Sequence, residues 1–134
     1  MQYIDIATLV KDALLSGGCA ADMIGDLDSH STIALDFNWS PTIYVGRRDD
    51  DIWLWSRLCE YHENSVDLHA ASLLKEMMKK LSWVRNDHLC FNEDQGYLEL
   101  RGLVALSALE DGEKFREALE GFLERADTFR ALLK

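Results

Sequence analysis

Ile4, Ile6, Leu9, Val10, Ala13 and Leu14 recur at the steps of a helix face, and Gly17-Gly18 then supplies residues free to take a left-handed stop. The pattern predicts a first helix over about residues 4–16. From residue 32 to 37 the period changes. Ile33, Leu35 and Phe37 alternate with small or polar residues, as in a half-buried strand. Residues 38–41 read as a turn, with Pro41 unable to donate to a ladder. Residues 42–46 form a second strand, 47–51 a charged reverse turn, and 52–57 a third strand, which together make a meander. In the third strand Trp53 and Trp55 share one face while Ile52 and Leu54 share the other, so both faces are expected to be covered.

Ser65 is placed to cap a second helix reaching about Leu81, with a broad stripe of Val66, Ala70, Leu73, Leu74, Met77, Met78 and Leu81. Residues 89–91 and 97–104 pair as a hairpin around a turn at 92–96, where Gly96 can take positive φ. A last helix runs from about Asp111, carrying Phe115, Ala118, Leu119, Phe122, Ala126, Phe129 and Leu133. The order α-β-β-β-α-β-β-α lacks a βαβ alternation. It predicts an α+β fold, with helices packed on a curved antiparallel sheet, as one domain over residues 1–134.

Composition narrows the function. With 24 Asp and Glu against 14 Lys and Arg, the net charge of −10 repels phosphate backbones and anionic lipid, which argues against nucleic acid and membrane partners. The longest uncharged run, residues 37–46, falls well short of the roughly 20 residues of a membrane span. An acidic residue stands near the start where a secretory signal is positive, so a cytoplasmic location is expected. Cys19, Cys59 and Cys90 form an odd, unpaired set that reads as free thiols.

Few residues suggest chemistry. Asp26, Asp28 and His30 would share a face on an extended segment and could grip a metal, but Asp28 and Ser29 equally serve as turn or cap residues. Cys59, His62, His88 and Cys90 have the ligand types of a zinc site but not the usual finger spacing. Ser29, His30 and Ser31 are neighbours that point to opposite faces, which argues against a catalytic triad. Glycine-rich phosphate loops and the nucleophile elbow are absent from the sequence, and the acidic run 49–51 reads as a solvated turn. No cofactor, metal or enzymatic activity is expected. What stands out is surplus apolar surface: Phe37, Trp39, Tyr44, Trp53, Trp55, Trp83 and the pair Met77-Met78. Aromatic and Met side chains are enriched at interface cores and adaptable binding surfaces, so a protein that binds protein is favoured.

Five segments carry a resemblance: Ile4-Asp-Ile-Ala-Thr-Leu-Val10, Ile24-Gly-Asp-Leu-Asp-Ser-His-Ser-Thr-Ile-Ala-Leu35, Asp49-Asp-Asp-Ile-Trp-Leu-Trp55, Gly96-Tyr-Leu-Glu-Leu100 and Asp111-Gly-Glu-Lys-Phe115. With the size, the acidity and the element order, the chain resembles the class I chaperones of bacterial type III secretion, in the broad-specificity branch typified by invasion protein B. Residues 58–64 and 82–88, rich in His, Trp and Cys, do not match that pattern. The resemblance implies a cytoplasmic homodimer that holds the N-terminal segments of several secreted effectors in an export-ready form, with the secretion ATPase as a further partner. It implies client contacts on the first three strands at Phe37, Ile43, Val45, Trp53, Leu54 and Trp55. It also implies a dimer interface on the second helix at Leu73, Leu74, Met77 and Met78. The alternatives are a dimeric protein-binding adaptor of another kind, or a small metal-dependent enzyme using Asp28 and His30.

Overall fold

The computed structural model describes residues 5–19, 32–37 and 40–134. Helix α1, Ile6–Ser16, starts on Asp5, whose carboxylate accepts from the Thr8 amide at 3.3 Å and the Thr8 hydroxyl at 2.7 Å. It ends in a Schellman motif. The Cys19 amide donates to Leu14 O at 3.0 Å and the Gly18 amide to Leu15 O at 3.1 Å, with Gly18 at φ 91°.

Three strands follow: β1 Ile33–Phe37, β2 Ser40–Arg48 and β3 Asp51–Glu60. Strand β2 begins earlier than the pattern predicts. The chain absorbs Pro41 at an irregularity, where the register steps from Leu35↔Ile43 to Phe37↔Ser40, so the missing N–H interrupts no regular ladder. Opposite that step the Thr42 hydroxyl donates to Asp36. The β2–β3 turn is only Asp49-Asp50, and Asp49 sits at φ 56°, a conformation Asp tolerates.

Helix α2 spans Glu63–Met77 and is capped at His62 without a side-chain hydrogen bond. Ser65 lies inside the helix rather than at its cap, and the helix ends before Leu81. Strands β4 Cys90–Asp94 and β5 Tyr97–Leu103 join through Gln95 (φ 52°) and Gly96 (φ 83°), a tighter hairpin than the sequence suggests. Helix α3, Gly112–Leu132, is capped by Asp111, which accepts from the Lys114 amide at 2.8 Å.

The five strands form one antiparallel sheet in the order β1-β2-β3-β5-β4. Buried residues of α1 (Ile6, Leu9, Val10, Ala13) and α3 (Phe115, Phe122, Phe129) join Ile43, Val45, Ile52, Leu54 and Leu100 in one core. The 82–88 stretch seals that core. Trp83 meets Phe122 edge-on at 6.3 Å over Gly121, where a Cβ would fall 2.6 Å from the indole nitrogen, and Val84 bridges Val104. A polar hook fixes α3 to the sheet. The fully buried Ser56 hydroxyl donates to Thr42 O at 2.8 Å and accepts from Arg130 Nη2 at 2.7 Å, while Arg130 also reaches Arg57 O at 2.9 Å.

Ser56→Ala would remove the donor to Thr42 O and one of the acceptors of Arg130, which would keep Arg57 O and Asp127. Urea unfolding should show a loss of about 1–3 kcal/mol with an unchanged m value; an unshifted midpoint would mean that the hook carries no stability.

Candidate functional site

Alternation along β2, β3 and β5 divides the sheet into two surfaces. One carries Ile43, Val45, Ile52, Leu54 and Leu100, each at most 1% exposed, and the three described helices pack on that side. Ile43, Val45 and Leu54, expected at a client surface, therefore face the core. A client could reach their side chains only by displacing α1 and α3. Phe37 is half-buried against the same core. Trp53 and Trp55 lie on the other, open face and are half-buried. Cover on this face comes in part from its own side chains: Trp55 meets Tyr44 and Arg101, and Tyr97 meets Arg57.

The Tyr44 ring stacks on Trp55 with centroids 5.7 Å apart and planes 17° from parallel. The Trp55 indole leans over Gly46, where a Cβ would fall 2.6 Å from Cη2, so a residue without a side chain is needed there. Arg101, opposite Trp55 in the β3–β5 register, holds its guanidinium 5.8 Å from the Trp55 ring. Arg57 sits 4.0 Å above the Tyr97 ring. Between them Glu99 is 3% exposed; it accepts from Asn92 Nδ2 at 3.1 Å and lies 3.4 Å from Arg101 Nε. A cleft of about 220 Å³ opens at this end of the face, lined by Thr32, Gly46, Arg48, Trp53, Trp55 and Arg101 among others. Sequence reasoning passed over Gly46, Arg48 and Arg101. The signal was available, since Tyr44, Gly46 and Arg48 share parity and pair across the two-residue turn with Trp55, Trp53 and Asp51.

The apolar stripe of α2 splits into two. Leu73 is 3% exposed and belongs to the core, and Met77 is half-buried against it. Leu74 and Met78 point to solvent at 63% and 65% exposure, joined by Leu68 at 79%, which lies outside the predicted stripe. Arg125 of α3 holds the helix in place: its Nη2 donates to Glu76 O at 3.1 Å and Glu76 Oε2 at 2.7 Å, while Lys79 adds an ion pair at 3.1 Å. Hydrogen bonds from Arg125 and then Lys79 hold the Glu76 carboxyl below the usual glutamate range.

The halves of the candidate zinc site lie apart: Cys59 packs against the core, whereas Cys90, opposite Arg101, belongs to the open face. Burial raises both thiols, with Arg101 partly opposing the rise at Cys90. Among the described residues no three His, Cys, Asp or Glu side chains gather as a metal site would require. Asp26, Asp28, His30 and Trp39 lie outside the described residues. No helix among the described residues is long and apolar enough to cross a membrane.

Comparison with known proteins gives consistent findings. The model of the Invasion protein B family matches residues 18–95. Over 135 aligned residues, covering 100% of both chains, the sequence is 39% identical to the surface presentation of antigens protein SpaK of Salmonella typhimurium, and equally to that of Salmonella typhi. Two solved structures share the fold. The ExsC–ExsE complex aligns at a TM-score of 0.66 with 17% identity over 97% of each chain. The heterodimeric ExoU–SpcU complex from the type III secretion system of Pseudomonas aeruginosa aligns at 0.66 with 15% identity, over 96% of this chain and 98% of that one.

The Glu76 clamp makes a pH prediction. A carboxyl whose folded pKa is lowered contributes stability above its unfolded pKa and loses it as pH falls through the folded pKa. Thermal melts should place Glu76→Gln below the parent at pH 7, with the gap closing as pH drops to about 3, below the ordinary glutamate range. A gap that persists in acid would locate the effect outside the ion pair.

Proposed function

The chain belongs to the invasion protein B family, and from that premise we propose that it is a type III secretion chaperone that keeps the N-terminal segments of several effectors extended and ready for export. The open sheet face carries this reading. Among the described residues it displays Tyr44, Trp53 and Trp55 without helix cover, close to an edge strand, β1, that pairs only with β2. A free strand edge offers main-chain hydrogen bonds to any sequence, and aromatic surface beside it adds affinity without demanding one partner, a combination suited to several clients. Support also comes from the two structural neighbours, both solved as complexes with a second protein. The client contacts are Trp53 and Trp55 with Phe37 at the strand end; Ile43, Val45 and Leu54 hold the sheet from beneath.

The outer face of α2 serves a second copy of the chain. Leu68, Leu74 and Met78 expose apolar surface on one helix beside the core-facing Leu73 and Met77. Burying each such side chain contributes about 1.5–3 kcal/mol, enough for a few per subunit to support a homodimer. The family resemblance adds the secretion ATPase as a further proposed partner.

Three measurements test this reading. Light scattering of the purified chain should return about twice the 15.3 kDa of one subunit, and Leu74→Glu with Met78→Glu should halve that mass. A parent already at the monomer mass would remove the dimer. Co-expression with effector N-terminal regions, followed by limited proteolysis without ATP or metal, should leave the chaperone with a protected client fragment on the order of 50 residues, the length of extended chain that reaches around a dimer. A client held as a folded domain would favour the adaptor instead. Trp53→Ser should weaken client binding by about tenfold while leaving the circular dichroism intact, since a half-buried indole at an interface centre contributes on the order of 1–3 kcal/mol; unchanged affinity would move the client off this face.

A further inference from the structure

The cleft on the open face carries a charge opposite to that of the protein. In a chain of net charge −10, it is lined by Arg47, Arg48 and Arg101, and no acidic residue among those described lines it. The carboxylates nearest in the ladder are already engaged: Asp51 is held by Arg85 at 2.8 Å, and Glu99 is buried under Asn92 and Arg101. Arg48 is exposed and makes no ion pair among the described residues, and Arg101, whose Nε faces Glu99 at 3.4 Å, holds its guanidinium beside the Trp55 ring at the cleft wall. Trp53 and Trp55 form the apolar walls.

We propose that this juxtaposition of Arg48 and Arg101 with Trp53 and Trp55 is a pocket for the carboxylate of a Glu or Asp side chain carried on the extended client segment. The inference rests on the chaperone reading and deepens it by naming a specificity element. A guanidinium fork matches a planar carboxylate through paired hydrogen bonds. Indole walls exclude water from that contact, which strengthens it, and they offer apolar surface to the methylenes of a glutamate stem. The overall negative charge keeps a nucleic acid polyanion away from the same arginines, whereas one carboxylate on a largely apolar segment meets little long-range repulsion. A face that would otherwise accept any apolar strand thus gains a preference for strands with an acidic residue at one place.

The test uses three blocked peptides of about twelve residues, alternating Val and Ser, long enough when extended to cross the sheet. Their central residue is Glu, Gln or Lys. Binding to the full chain is followed by tryptophan fluorescence and by the indole N–H signals of Trp53 and Trp55. The Glu peptide should shift both indole signals and bind about tenfold tighter than the Gln peptide, with the Lys peptide weakest, as expected for a charge-assisted pair. Arg48→Glu, on an exposed side chain, should reverse the order so that the Lys peptide outbinds the Glu peptide. Arg101→Gln should narrow the Glu-over-Gln preference; if it fails to fold because it frees Glu99, the Arg48→Glu reversal decides alone. Equal binding of Glu and Gln peptides, or a preference that survives Arg48→Glu, would overturn the carboxylate pocket and leave the chaperone reading standing. Displacement of the Glu peptide by an oligothymidylate would overturn it in favour of a general polyanion site. Failure of all three peptides to bind would overturn both.

Discussion

The register of β2, β3 and β5 is the constraint on which the other features depend. Because side chains alternate across a strand, burying Ile43, Val45, Ile52, Leu54 and Leu100 beneath α1 and α3 obliges Tyr44, Trp53, Trp55 and Arg101 to occupy the opposite face. A slip of one residue would exchange the two sets, sending aromatic and cationic side chains into the core. Three devices hold the register: the two-residue turns at Asp49-Asp50 and Gln95-Gly96, and the Ser56 hydroxyl tied to Arg130 of α3. The open face is thus a consequence of how the core is filled. Its aromatic groups are braced rather than loose, Trp55 by Tyr44, Arg101 and the gap above Gly46.

Much of this fold was legible because local chemistry and global packing agree. Gly17-Gly18 announced the Schellman stop of α1, Asp111 the cap of α3, and the spacing from Phe115 to Phe129 its buried face. The misses have physical causes. Helix α2 starts at Glu63 after His62, which makes no side-chain cap bond, so a cap read at Ser65 falls three residues late. Pro41 signalled a turn but sits in β2, because an irregularity in the ladder removes the need for its N–H. At the candidate site the limit was different. Alternation groups Trp53 with Trp55 and Ile52 with Leu54, but which group faces water is decided by where α1 and α3 land, a tertiary fact absent from a period of two. Ile43, Val45 and Leu54 lie on the core side for that reason. The stripe on α2 likewise contained two adjacent faces, one meeting the core through Leu73 and the other left to solvent at Leu74 and Met78.

The open sheet face and the outer side of α2 belong to different elements, a separation that would suit the proposed carrier. A second copy could cover α2 while the sheet stayed free, so the proposed pairing and client binding need not compete. In the proposed role neither surface calls for bond-making chemistry: affinity would come from main-chain pairing and aromatic contact, which tolerate varied partners, and the arginine-lined cleft would add selectivity at one place. The clamp from Arg125 to Glu76 ties α2 to α3 and so fixes how α2 presents its outer face.

Hydrogen exchange of the complex with an effector N-terminal region tests the central claim most directly, namely that the client lies extended on the open side of the sheet. The extended arrangement predicts client amides protected only in short, separate stretches with no cooperative unit, together with slowed exchange in β1 of the chaperone. Client amides protected as one cooperative unit, with exchange in β1 unchanged, would contradict it.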